Sequence, residues 1–342
     1  MAILRDPVKV LNIITKEVGE VREAFGDERR TKIYQKAIGE FSEEDLVAKE
    51  ETLITVTKTG YIKRLSAGAY RAQRRGGKGV IGMTTKEEDV IEHLLSATTH
   101  DQILFFTDRG RVFRAKAYEI PESSRQAKGQ ALVNLLNLDQ GEEIKSILPL
   151  SKDLGIKNLI MATKSGIIKK TNINEFENLR ASGLIAIKLR GGDSLVSVHA
   201  TSGDSHVMLL SKNGKSIRFP EINARPMGRA TTGVTGIKLD SGDEVIGMET
   251  FPAKENIPAD KRKKMFRDVL TISAKGLGKR TPIHLFPVQK RSGKGVKASI
   301  VNAKTGDLKT AAMVTPTVDQ IIITSKGGQV IKLPLKNIPQ LG

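Results

Sequence analysis

The segment Gln73-Arg74-Arg75-Gly76-Gly77-Lys78-Gly79 sets three cations among three glycines, with no apolar side chain. Glycine lets the backbone take positive φ and lets a second backbone approach closely. The cations therefore sit on a loop with little bulk around them. The chemistry this suits is contact with a phosphate backbone running past the chain. A solvated basic loop has the same composition, so the rest of the chain decides between the two. No catalytic constellation competes. His93, His100, His199, His206 and His284 lack metal-ligand spacing and read as ordinary loop or strand residues. The glycine-rich segment lacks the strand, loop and Lys-Ser/Thr order of a nucleotide P-loop. Tyr34, Tyr61, Tyr70 and Tyr118 have no nucleophile setting. No metal or cofactor is expected in this chain.

Charge favours a polyanionic partner. The 342 residues carry a net +18, unevenly spread. Residues 1–50 hold 9 Lys/Arg and 11 Asp/Glu, a net of −2, which leaves +20 on residues 51–342. That exceeds what solubility alone asks of a domain this size. Trp is absent and aromatics are 4%, which argues against single-strand binders that stack bases on aromatic platforms. Duplex DNA, bound by its backbone, fits better. The absence of Cys excludes disulfides and thiolate metal sites. The chain shows no signal peptide and no apolar run of membrane-spanning length, so a soluble cytoplasmic protein without membrane contact is expected.

The elements that must position the basic segment divide the chain in three. Residues 1–26 read as a helix with Asp6 as N-cap and Pro7 in its first turn. Leu11, Ile14, Val18, Val21 and Phe25 follow at coiled-coil spacing, and Gly26 ends the helix. Two heptads do not stand alone, so the seam calls for a partner helix. The other reading is an amphipathic helix packed on the body. Residues 27–50 are charged and read as a linker. From 51 to 342 a strand, Thr/Ser-x-x-Gly, strand pattern repeats six times, with its turn glycines at Gly60, Gly110, Gly166, Gly214, Gly276 and Gly328. Each copy is a β-hairpin. The period is that of a propeller blade of about four strands. Each copy has a second half that starts at a glycine (Gly79, Gly129, Gly183, Gly233, Gly295), runs through an apolar stretch, and in most copies reaches a Gly-Asp or Gly-Glu turn. The sixth copy stops at Gly342, where the fourth continues past Gly228. The expectation is an all-β, six-bladed propeller-like fold with an incomplete sixth blade, preceded by one α-helix.

Four residues after each turn glycine stands a cation: Arg64, Arg114, Lys170, Arg218, Arg280 and Lys332. Several copies add a second just before it, at Lys63, Lys169 and Lys279. Equivalent positions lie at one radius, so outward-facing side chains would make a positive ring. Edge strands that use charge against aggregation are the alternative, but they admit either sign.

These residues resemble a known family. Residues 73–79 look like the gyrase-A box of the DNA gyrase A family of type IIA topoisomerases. The six-fold repeat is similar to that family's C-terminal β-pinwheel, and Gly26-Asp27-Glu28-Arg29-Arg30-Thr31 after the helix resembles the junction to it. The resemblance implies a bacterial, cytoplasmic, nucleoid-associated domain that wraps duplex DNA around its rim and so supports ATP-dependent negative supercoiling. It implies two protein partners, a gyrase B subunit plus a second gyrase A chain. ATP and Mg would be supplied through the former and through domains outside this chain. The catalytic tyrosine also lies outside, so the chain alone is expected to be no enzyme. Carried over, Gln73, Arg74, Arg75, Gly76, Gly77, Lys78 and Gly79 would contact DNA. The looser copies at 125–129 and 289–295 would be subsidiary contacts. The equivalent region of topoisomerase IV is the alternative within the family, and a propeller used as a protein-interaction scaffold is the alternative outside it.

Overall fold

The computed structural model describes residues 6–27, 46–66, 91–124, 127–150, 155–177, 179–180, 182–253, 267–315, 318–324 and 330–342. They belong to two compact units, Met1–Leu46 and Val47–Gly342. In the first unit, α1 (Pro7–Phe25) begins as its sequence predicts. The Asp6 carboxylate accepts the Val8 amide at 3.0 Å, and the Gly26 amide closes the last turn on the Arg22 carbonyl at 2.8 Å. Leu11, Ile14, Val18, Val21 and Phe25 are all exposed along one stripe. The described helices include none long and apolar enough to cross a membrane.

The second unit is a propeller-like ring of β blades. The first repeat contains β1 (Glu51–Thr57), β2 (Tyr61–Ser66) and β3 (Ile91–Thr98). The second contains β4 (Gln102–Thr107), β5 (Arg111–Lys116), β6 (Gln130–Ala131) and β7 (Ile144–Leu150). The third has β8 (Asn158–Thr163), β9 (Ile167–Asn172), β10 (Leu184–Ile185) and β11 (Leu195–Thr201). The fourth has β12 (Ser205–Ser211), β13 (Lys215–Pro220), β14 (Val234–Thr235) and β15 (Val245–Pro252). The fifth has β16 (Asp268–Ser273), β17 (Gly278–Pro282), β18 (Val296–Lys297) and β19 (Leu308–Val314), and the sixth shows β20 (Gln320–Thr324) and β21 (Val330–Pro334).

The hairpin motif has a local cause. Gly60, Gly110, Gly166, Gly214 and Gly276 adopt φ of 83°, 76°, 85°, 78° and 75°, a region that side chains disfavour. In the first four hairpins the Thr or Ser hydroxyl accepts the amide just past the glycine. Thr57 takes Tyr61 at 3.1 Å, Thr107 takes Arg111 at 3.2 Å, Thr163 takes Ile167 at 3.3 Å, and Ser211 takes Lys215 at 3.2 Å.

Four strands per repeat are present in repeats two to five, but a blade is not one repeat. The sheets run β3-β1-β2-β6, β7-β4-β5-β10, β11-β8-β9-β14 and β15-β12-β13-β18. The two-residue third strand of repeats two to five therefore pairs with the outer hairpin strand of the preceding blade, as in Tyr61↔Ala131 and Ile62↔Gln130. Among the described residues, a 3-10 turn follows each hairpin from the second to the sixth, for example Ala117–Glu119 and Ile173–Phe176. Among the described residues the fifth sheet is β17-β16-β19 and the sixth is β20-β21.

Because blades two to five have neighbours on both faces, their hairpin strands bury both sets of side chains, which is why they read as continuous apolar runs. In β4, Phe105 enters the core shared with the first blade, while Leu104 and Phe106 enter the core shared with the third. The inner strands β3, β7, β11, β15 and β19 contact one another in succession. Each carries a register shift near its start, a bulge repeated at the same place in five blades. Polar side chains link these strands across blade boundaries. The Ser146 hydroxyl donates to the Val198 carbonyl at 3.0 Å, His199 Nδ1 lies 3.3 Å from the Thr250 hydroxyl, and the Glu249 carboxylate accepts the Met313 amide.

Candidate nucleic-acid interface

The strand order places the donated strands outermost, so the loops preceding them lie on the perimeter. These loops, residues 123–129, 177–183, 227–233 and 289–295, are the equivalents of 73–79. Each ends in a glycine that presses on the preceding blade. A Cβ on Gly233, at φ 88°, would stand 2.4 Å from the Ile168 carbonyl oxygen, and one on Gly183 would meet the Phe113 ring at 2.6 Å. The recurring basic-loop-then-glycine pattern thus has a packing cause on the perimeter. Residues 73–79 themselves, with Gln73, Arg74, Arg75, Gly76, Gly77, Lys78 and Gly79, lie outside the described residues, as does Arg125.

The cation four residues past the turn glycine has a consistent place in five blades. Its side chain reaches the 3-10 turn of the next blade. Arg64 Nε donates to the Ile120 carbonyl at 3.3 Å, and its Nη2 stands 3.2 Å from the Glu122 carboxylate. Arg114 Nη1 donates to the Glu177 carbonyl at 2.8 Å, and Lys170 Nζ to the Glu221 carbonyl at 3.1 Å. Arg218 Nη1 donates to the Ile283 and Phe286 carbonyls at 3.1 and 3.4 Å, while its Nε donates to His206 Nδ1 at 2.8 Å. Arg280 Nε donates to the Ile338 carbonyl at 3.0 Å, and its Nη1 to Asp268 at 3.1 Å. The carbonyls that end a helical turn need donors, and Lys and Arg are donor-only side chains. That requirement accounts for Arg64, Arg114, Arg218 and Arg280, each of which reaches the residue that closes its turn; Lys170 instead binds the Glu221 carbonyl at the start of a turn, beside the Ala224 amide. An outward ring needs exposed heads. Arg114 and Lys332 are exposed, Arg64, Arg218 and Arg280 are partly so, and Lys170 is 6% exposed.

The lysine just before this position is buried in two blades. Lys63 Nζ donates to the Ala127 and Ser124 carbonyls at 2.8 and 3.3 Å. Lys169 Nζ donates to the Ala186 carbonyl at 2.7 Å and to the Arg229 carbonyl, and burial pulls it down to about 8. Each holds a perimeter loop by its backbone. Lys279, partly exposed, donates to the Gly342 carbonyl at 3.2 Å.

Among the described residues, the exposed cations of the perimeter loops and the strands they feed are Lys128, Arg180, Lys290, Lys294 and Lys297. Lys128 stands over the Tyr61 ring at 4.1 Å. Sequence reasoning found the loops at 125–129 and 289–295, which hold Lys128, Lys290 and Lys294, but neither Arg180 nor Lys297. Aligning the loops on their terminal glycines would have found an arginine three or four residues before each one: Arg75, Arg125, Arg180, Arg229 and Arg291. Arg291 is tied to the Asn223 and Thr235 carbonyls at 2.9 and 3.1 Å. Among the described residues, no cluster of His, Asp and Glu could hold a metal ion.

Comparison with known proteins agrees with this architecture. A family model, the DNA gyrase C-terminal domain β-propeller, matches residues 51–98, 101–151, 157–202, 205–252, 267–316 and 319–342, one stretch per repeat. The chain is 39% identical over its full length to the DNA gyrase A protein of Staphylococcus aureus strain NCTC 8325 / PS 47, and equally to that of strain MSSA476. It spans 37% of the length of these relatives. A structure of the DNA gyrase A C-terminal domain superposes with a TM-score of 0.66 at 29% identity, covering 86% of this chain and 92% of that one. A crystal structure of the C-terminal domain of DNA topoisomerase IV gives a TM-score of 0.68 at 24% identity, covering 86% and 88%, and shares the fold.

Proposed function

We propose, from the premise that this chain belongs to the DNA gyrase A C-terminal β-pinwheel family, that it wraps duplex DNA around its perimeter. In the longer gyrase A protein that wrapping serves ATP-dependent negative supercoiling. The observation that carries this reading is the row of cationic loops on the perimeter, each pressed by its terminal glycine against the blade before it. Such loops hold positive charge at a fixed radius from the hub. Wrapping asks for that geometry, because a stiff duplex resists curvature. Bending 20–30 base pairs by 40–90° costs about 1–6 kcal/mol, and phosphate contacts with release of counterions offset it. Base reading has no role, in keeping with a surface poor in aromatics.

In this reading Gln73, Arg74, Arg75, Gly76, Gly77, Lys78 and Gly79 form the principal contact, and the other perimeter loops extend the track. Arg114 and Lys332 add exposed charge. Arg64, Lys170, Arg218 and Arg280 act mainly by keeping the blades in register. The chain alone neither cuts DNA nor hydrolyses ATP. The cleaving tyrosine, the second gyrase A chain, the gyrase B subunit with its ATP, and Mg belong to the assembled cytoplasmic enzyme. Identity of 39% to gyrase A sequences favours gyrase over topoisomerase IV.

The test is ligation of nicked circular DNA in the presence of the chain, repeated over a salt series. The expected result is a shifted linking number that fades as salt rises. The triple variant R74A/R75A/K78A should keep its β-sheet circular dichroism and lose the shift. Salt-sensitive binding without any shift by the wild-type chain would overturn wrapping. An undiminished shift in the triple variant would overturn the assignment of residues 73–79.

A further inference from the structure

A groove of about 820 Å³ opens on the perimeter where the edges of the second and third blades meet, lined by Asn172, Asn174, Glu175, Arg180, Leu184 and Arg229. Two adjacent repeats build it. Asn172 ends β9, Asn174 and Glu175 lie on the 3-10 turn that follows, and Arg180 precedes the donated strand β10. Arg229 comes from the equivalent loop of the fourth repeat, which feeds β14 onto the edge of the third blade.

Several features suit this groove to an oxyanion of a phosphodiester. Arg180 is exposed, and among the described residues neither a hydrogen bond nor an ion pair ties down its guanidinium. Arg229 is held by its backbone and not by its head: its carbonyl accepts the buried Lys169 ammonium, which burial pulls down to about 8. Its guanidinium stands 3.9 Å from the Glu175 carboxylate, and both side chains are partly exposed. A single contact of that length is weak and easily exchanged. The Asn172 side-chain oxygen is already taken by the Asn174 amide at 3.0 Å, so the polar group it has left is a donor. Two guanidinium forks and an amide against one carboxylate leave the groove net positive, and guanidinium is the group best matched to phosphate oxygens. Arg291, the equivalent of Arg229 one blade further on, has its head bound to backbone carbonyls.

We propose that this groove seats one backbone phosphate of duplex DNA, gripped by Arg180 and Arg229, with Glu175 as the carboxylate that the phosphate displaces from Arg229. Lys169 is then a positioning residue beneath the seat. The proposal rests on the wrapping reading and adds to it a contact away from residues 73–79.

The experiment measures affinity of the full chain for a duplex longer than one wrap, across a salt series. It compares the wild type with R180A/R229A, with E175Q, and with a charge-matched control, K304A/K309A, on the inner strand of the fifth blade and the turn that precedes it. The expected result is that R180A/R229A lowers the steepness of log K against log salt by about 0.9, the value of one lost phosphate. The control keeps the wild-type slope, and E175Q binds several-fold tighter at an unchanged slope. A wild-type slope in R180A/R229A, or the same reduction in the control, would overturn the seat while leaving wrapping intact. So would inorganic phosphate that binds the wild type, but not R180A/R229A, at constant ionic strength without displacing the duplex, because the groove would then be a site for the free anion. A wild-type chain that binds duplex without salt dependence would overturn both readings.

Discussion

Replacing Glu249 by Gln should remove a pH-dependent loss of stability from the joint between the fourth and fifth blades. Glu249 projects from β15, its carboxylate accepts the Met313 amide of β19, and burial pushes it up to about 7 from an ordinary 4.5. A carboxyl raised in the folded state gives its full stabilisation below its unfolded pKa, and that contribution is lost as pH rises through the folded value. For 4.5 and about 7 the whole span is about 3.4 kcal/mol, of which about 1.4 kcal/mol falls between pH 6 and pH 8.5. Gln keeps a carbonyl for the Met313 amide and cannot ionise. The stability of E249Q relative to wild type should therefore rise by about 1.4 kcal/mol over that interval. Urea unfolding followed by far-UV circular dichroism suits a chain without Trp. Because stacked repeats can open in parts, hydrogen exchange at the Met313 amide should localise the change. Parallel profiles for variant and wild type from pH 6 to pH 8.5 would refute the reasoning.

Three further outcomes follow from the same geometry. Burial pulls His199 down to about 4 from 6.5, so its contribution is full above pH 6.5 and lost as pH falls towards 4; H199Q should flatten that acid limb in urea midpoints taken from pH 7 to pH 4. R218M removes the donors to the Ile283 and Phe286 carbonyls and to His206, and should cost about 2–3 kcal/mol, with faster amide exchange at Phe286 as its local sign. G233A places a Cβ 2.4 Å from the Ile168 carbonyl at φ 88°, and should cost about 2–4 kcal/mol. G228A, with open space around it, should change the urea midpoint little.

The hairpins were legible because each is a local object. Thr57 and Gly60, or Ser211 and Gly214, close their own turn through hydrogen bonds only a few residues long. The strand count in repeats two to five was legible for the same reason. What could not be read was which sheet a strand joins. Gln130 and Ala131 form a strand too short to show a period, and their partners Ile62 and Tyr61 lie far back in sequence. The sequence did mark the place. Gly129, Gly183, Gly233 and Gly295 were read as starts of second halves, and each proves to be where the chain presses on the blade before it. The buried lysines escaped differently: Lys63 and Lys169 look like surface charge, and only burial together with their carbonyl partners separates them from the exposed Lys128.

The repeated cation carries the sharper lesson, because two physical causes produce the same letters. A basic residue in every copy reads as a ring for a polyanion, yet the carbonyls of a 3-10 turn select Lys or Arg as firmly as phosphate does. Lys170, 6% exposed and bound to the Glu221 carbonyl, shows the second cause at work. Loss of DNA binding on replacing such a residue would not by itself assign it to the interface, since a loosened blade joint lowers the amount of competent protein. The salt slope separates the causes. A phosphate contact removed makes log K less steep by about 0.9, whereas a smaller folded fraction scales binding at every salt concentration and leaves the slope alone. K170M should therefore weaken binding only as far as it unfolds the chain, at the wild-type slope. A reduced slope in protein that remains fully folded would return Lys170 to the DNA surface.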